Sequence, residues 1–112
     1  MIKDERAVAR EFDEAVNMTA EELEDWLRTE ESRAVGQKGG GGDGGESTGH
    51  ASGRRIVALL RKKRSDLTAD DYEHMTKVVG YVHRHLAQRP SGDVTDTPWR
   101  RSLMNWGHDP LK

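Results

Sequence analysis

The sequence predicts an all-α fold: a small bundle of about four helices plus a short C-terminal Trp-rich helix, with a flexible Gly-rich loop inside it. Three observations predict this. Apolar residues recur at three- and four-residue steps along each long segment. Threonine-led caps open two of those segments. Most of the 12 glycines fall in one run, residues 36–49 (GQKGGGGDGGESTG). The chain reads as a single helical domain over residues 1–112, with 36–49 as a flexible loop within it.

The first helix runs from Asp4 to about Asn17, with Val8, Phe12, Ala15 and Val16 as its apolar stripe. Asp4 and Glu5 sit at its start, where the helix dipole favours acids. Thr19 and Glu22 make a capping box for the second helix, and Leu23, Trp26 and Leu27 face the core together. Its acids Glu21, Glu22, Glu24 and Asp25 read as dipole complements and solvated surface, not as catalytic carboxylates. The glycine run is entropically costly to order and lacks the spacing and the Lys-Ser/Thr ending of a phosphate-binding P-loop. The third helix starts near Ser52 as N-cap and runs to about Arg64, burying Ile56, Leu59 and Leu60 with Val57 at the edge. Residues 65–68 break it. Thr68 and Asp71 open the fourth and longest helix, about 69–88, whose Tyr72, Met75, Val78, Val79, Val82 and Leu86 share one arc. Pro90 ends it. In the tail, Thr97 is the N-cap, Pro98 the first helical residue and Gly107 the C-terminal cap. Trp99, Leu103 and Trp106 face one way, too much apolar surface to leave in water, so this helix docks on the body or on a partner.

Composition narrows the function classes. A hydrophobic content of 33% against 34% charged residues implies a thin core. With no cysteine there is no disulfide, thiolate nucleophile or cysteine zinc site. No apolar run approaches the roughly 20 residues of a spanning helix, and the charged N-terminus lacks a signal-peptide core. A soluble, cytoplasmic protein without membrane contact is expected. The net charge of −2 hides a split: residues 1–46 carry 6 Lys and Arg against 13 Asp and Glu, and residues 47–112 carry 12 against 7. A basic surface for an anionic partner and mutual attraction of the two halves both account for this.

The strongest chemical lead is the basic set Arg54, Arg55, Arg61, Lys62, Lys63 and Arg64, with no acid between Glu46 and Asp66. On a helical wheel Arg54, Arg55, Arg61 and Lys62 oppose Ile56 and Leu60, forming a strip suited to phosphates. Arg54 and Arg55 are expected in the first turn, against the dipole, where a bound anion would relieve the conflict. Lys62, Lys63 and Arg64 are explained more simply as cations at a helix C-terminus. Arg100 and Arg101 could extend the surface. A standard helix-turn-helix is disfavoured, because Asp70, Asp71 and Glu73 occupy the start of the would-be recognition helix. No metal or cofactor is expected: His83 and His85 point roughly 160–200° apart, and His74 and His85 are separated by about 16 Å along the axis. His50 and Ser52 make no nucleophile motif, and no enzyme activity is expected. His108 reads as an anchor for the tail.

The stretches EELEDWLRTEESRAVGQ, STGHASGRRIVALLRKK, MTKVVGYVHRHLAQRP and SLMNWGHDP resemble the bacterial domain of unknown function 3140 family over nearly the whole chain. GHASGRRIV and SLMNWGHDP are the most specific parts, and the glycine run is longer than the family pattern. The resemblance implies no established activity; some members carry a DNA-binding label. The expected function is non-specific binding of DNA or RNA through the basic helix. The alternative is a protein-interaction or stress-accessory module using Trp99 and Trp106 or the acidic second helix. Burial of the two indoles would make the tail structural.

Overall fold

A computed structural model describes residues 4–35 and 48–112. Among these residues the chain is all-α: α1 (Glu5–Ala15), α2 (Ala20–Leu27), α3 (Glu30–Val35), α4 (Thr48–Arg61), a 3-10 turn (Arg64–Asp66), α5 (Ala69–Leu86) and α6 (Pro98–Asn105). Side-chain caps set four of the starts. Asp4 accepts from the Arg6 N–H at 3.1 Å. Thr19 and Glu22 form the capping box of α2 at 3.1 and 2.9 Å. Thr68 and Asp71 form that of α5 at 3.2 and 2.9 Å. Thr97 caps α6 at 3.2 Å, with Pro98 as its first residue. Each cap satisfies a backbone donor that the helix leaves open and contributes about 1 kcal/mol.

The apolar stripes decide the packing. α1 lies along α5 and α2 along α4, while α6 lies against α2, α3, α4 and α5. Leu23, Ile56, Val78 and Leu103 are fully buried at the centre, each contributing on the order of 1.5–3 kcal/mol. Trp99 and Trp106 are 8% and 6% exposed, so the tail helix docks on the body of its own chain. Among the described residues, no helix is long and apolar enough to cross a membrane.

Four local expectations change. Helix α3 was not anticipated: EESRAV carries no apolar stripe, and Thr29 Oγ1 accepts from the Ser32 N–H to start it. Helix α4 begins at Thr48, a turn before Ser52, so the expected loop 36–49 loses its last two residues to helix and the rest lies outside the described residues. Ser52 is buried inside α4 and is not its N-cap; its hydroxyl pairs with His74 Nε2 at 3.1 Å. Val57 is buried at 7%, whereas Leu60 is only partly covered at the margin of the core.

The early start of α4 follows from packing. A Cβ on Gly53 would stand 2.6 Å from the Asn105 carbonyl oxygen and 2.6 Å from Leu27 Cδ2. Glycine there lets α4 approach α2 and α6 closely enough to bury the stretch, overriding its poor helix propensity. Where α6 ends, Gly107 adopts φ 83°. The Gly107 and His108 N–H groups donate to the Met104 and Leu103 carbonyls, closing the helix.

Residues past α6 then fasten to the start of the chain. His108 Nδ1 donates to the Ala15 carbonyl at 2.7 Å, the anchoring role expected of it. Asn17 and Asp109 exchange two hydrogen bonds of 2.9 and 2.8 Å. Above α5, the rings of His74, Trp106, Tyr81 and His85 stack in series, and the Trp99 indole donates to the His85 carbonyl at 2.6 Å.

Candidate nucleic-acid interface

The true start of α4 relocates Arg54 and Arg55. They are the seventh and eighth residues of the helix, about two turns inside it. The dipole effect is confined to the first turn. The expected clash with the helix N-terminus, and the anion seat that would relieve it, therefore do not arise at these residues.

The other members of the basic set meet acids. Arg55 lies 3.5 Å from Asp71 Oδ1 and donates to the Asp70 carbonyl at 3.2 Å. Lys62 Nζ lies 2.7 Å from Asp71 Oδ2. The Lys62 ammonium first, then the Thr68 N–H, hold the Asp71 carboxyl well below its ordinary value. Arg61 forks onto Glu24 at 3.1 and 3.2 Å, and this holds Glu24 below the usual carboxylate value. Arg64 pairs with Asp13 at 2.8 Å. Lys63 is exposed and carries no ion pair among the described residues; Arg54 is exposed. Lys62 and Arg64 also line a small cleft with Phe12, Leu59, Leu67 and Met75.

Internal pairing thus accounts for much of the strip, yet it does not cancel its charge. Four cations (Arg55, Arg61, Lys62 and Arg64) meet three carboxylates, Asp71, Glu24 and Asp13, and Lys63 meets none among the described residues. The paired cation side chains keep exposures of 37–59%. The Arg61–Glu24 and Arg64–Asp13 pairs are exposed on both sides and contribute little to stability, whereas Asp71, itself buried, holds Arg55 and Lys62 more firmly.

Of the two arginines expected to extend the surface, Arg100 is taken up by the tail, forking onto Asp109 at 3.1 Å through each of two nitrogens. Arg101 is half-buried and has no ion pair among the described residues. Sequence reasoning passed over Lys77 and Arg84 on α5. Neither carries an ion pair among the described residues. The signal was present: residues 74–92 contain Lys77, Arg84 and Arg89 and no Asp or Glu.

The histidines are dispersed. His50 Nε2 donates to the Leu27 carbonyl at 2.7 Å, whereas Ser52 pairs with His74 of α5, so the two sequence neighbours serve different contacts. Among the described residues, no three His, Asp or Glu side chains converge to hold a metal ion.

Residues 11–104 match the family model described as "Protein of unknown function (DUF3140)". The chain belongs to the DUF3140 family. No curated protein and no solved structure matches it. The segments GHASGRRIV and SLMNWGHDP of this DUF3140 chain meet in space: Gly49 and Gly53 of α4 lie against Asn105 and Trp106. Asn105 accepts from the Trp26 indole at 2.8 Å and from the Ser32 hydroxyl, and donates to the Ser32 carbonyl at 3.0 Å. These residues hold helices together.

Proposed function

We propose that this DUF3140 chain is a nucleic-acid-associated protein that binds the phosphates of DNA or RNA with little sequence specificity. The observation that carries the reading is the excess of exposed cations over carboxylates along α4 and the turn after it. Phosphates would take up Lys63 directly, and Arg61 and Arg64 by exchange with their exposed partners Glu24 and Asp13, releasing condensed counterions. Affinity is therefore low and falls steeply with salt. Recognition through a hydrophobic patch has little to work with, since Leu111 is the exposed large apolar side chain among the described residues. Trp99 and Trp106 face the chain's own core. The proposal assigns the chain no reaction and no cofactor.

The test is a salt titration of binding to mixed-sequence DNA and RNA, followed by fluorescence anisotropy. Binding at low salt with a steep negative slope of log affinity against log salt is expected. A wild-type chain that binds neither polymer at low salt overturns the reading.

A further inference from the structure

We infer that the phosphodiester backbone seats on the Lys77–Gly80–Arg84 stripe of α5; this deepens the nucleic-acid reading and rests on it. Steps of three and four residues place the three positions on one helix face. Lys77 and Arg84 are two turns apart, about 10 Å along the axis. A nucleic-acid strand carries one phosphate per about 3.4 Å of helix axis, so the two cations bracket about three phosphates. Neither is held by an acid among the described residues, unlike Arg55, Arg61, Lys62 and Arg64 of the α4 strip.

Gly80 is the second, independent observation. Glycine inside a helix is destabilising relative to alanine, so its place there needs a reason. Packing supplies one at Gly53, where a Cβ would collide with the Asn105 backbone and Leu27. At Gly80 a Cβ would meet only the tip of Arg84, with Nη1 at 3.1 Å, and otherwise open space. No backbone or core neighbour across space requires this glycine. A ligand gains from it: with no side chain at position 80, a phosphate can approach the helix backbone between the two cations. The Arg84 guanidinium, lying over that gap, is placed to close on it.

Helix stability is the competing account, and it covers only part of the stripe. The dipole favours a cation in the last turn, which suits Arg84. It explains neither Lys77 in the middle of α5 nor the glycine between them. Arg89, over the Trp99 ring at 5.5 Å, adds positive charge beyond the helix end. Glu73, one turn before Lys77, sets the N-terminal limit of the seat.

Anisotropy titrations of the full chain with labelled single-stranded DNA, duplex DNA and duplex RNA, at increasing salt, test the seat. Lys77→Gln/Arg84→Gln is expected to weaken binding at least tenfold and to lower the magnitude of the duplex-DNA salt slope by about 2, with only a small fall in melting temperature from the lost helix-end cation. Gly80→Ala is expected to raise the melting temperature yet weaken binding severalfold, a combination that damage to the fold cannot produce. Lys63→Gln/Arg64→Gln is expected to cost less than the α5 pair. Wild-type binding with affinity and slope unchanged in Lys77→Gln/Arg84→Gln overturns the seat and leaves the nucleic-acid reading standing. No binding by the wild-type chain overturns both. Similar losses on DNA and RNA support a phosphodiester seat, and a loss confined to one polymer overturns it in favour of sugar or base recognition.

Discussion

Asn105 is 1% exposed and holds three partners: the Trp26 indole, the Ser32 hydroxyl and the Ser32 carbonyl. Asn105→Ala would leave the buried Ser32 hydroxyl and the partly buried Trp26 indole without their acceptor and open a small void. A loss of about 3 kcal/mol is expected from urea denaturation midpoints. Ser32→Ala removes one hydroxyl and keeps the other bonds to Asn105, so its expected cost is about 1 kcal/mol. The glycines give a sharper contrast. Gly53→Ala drives a methyl into a backbone carbonyl and is expected to cost about 2–3 kcal/mol. Gly80→Ala is expected to stabilise by about 0.5–1 kcal/mol. Thermal melts of the two variants should shift in opposite directions. None of this contrast is legible in the sequence, where both residues are lone glycines in helical patterns. Only the neighbours across space separate them.

Elements with their own start signals were legible. The Thr19, Thr68 and Thr97 caps and the stripes of α1, α2, α5 and α6 are local, and the structure keeps them. The start of α4 depends on tertiary contact, with Gly53 closing on α6, and no local pattern records it. Helix α3 has a local cap at Thr29 but no apolar stripe, and Asn105 holds it from across the chain. The joints between elements also carry the pH response. Burial, with help from Arg55 and Lys77, lowers the His74 pKa, and burial alone lowers that of His85. A histidine lowered on folding binds protons more readily when unfolded. Stability is thus intact above the unfolded value near 6.5 and declines as pH falls below it. His85→Phe keeps a ring on Tyr81 and removes one titrating group. Its urea midpoint should fall less between neutral and mildly acid pH than that of the wild type. Asp71, which ties the end of α4 to the start of α5, acts lower. Its depressed pKa gives stability present above the ordinary carboxylate value and lost as pH falls below it. Asp71→Asn should flatten that second, more acid decline while lowering stability at neutral pH.

Across the whole molecule, the opposed charge of the two halves becomes contact. Glu24 meets Arg61, Asp13 meets Arg64 and Glu22 meets Lys112. Mutual attraction was one of the two accounts the sequence allowed, and it proves real without exhausting the positive charge. These pairs are exposed, so Glu24→Gln should leave the melting temperature almost unchanged. The candidate interface was the least legible part. Charge counting found the α4 strip, but a count cannot tell a cation facing an acid from one facing solvent. The bonds of residues 105–112 to the front of the chain have a further effect, on the order of events during synthesis. They link residues 73 to 95 positions apart, from Ser32–Asn105 to Asn17–Lys112. The ribosome releases residues 105–109 after everything they fasten. Until then α1 and α2 exist without the groups that lock them, and loop closure over such separations is slow. Nascent chains stalled before α6 emerges should remain open to protease, and protection should appear abruptly once the Trp106–Asp109 segment clears the exit tunnel.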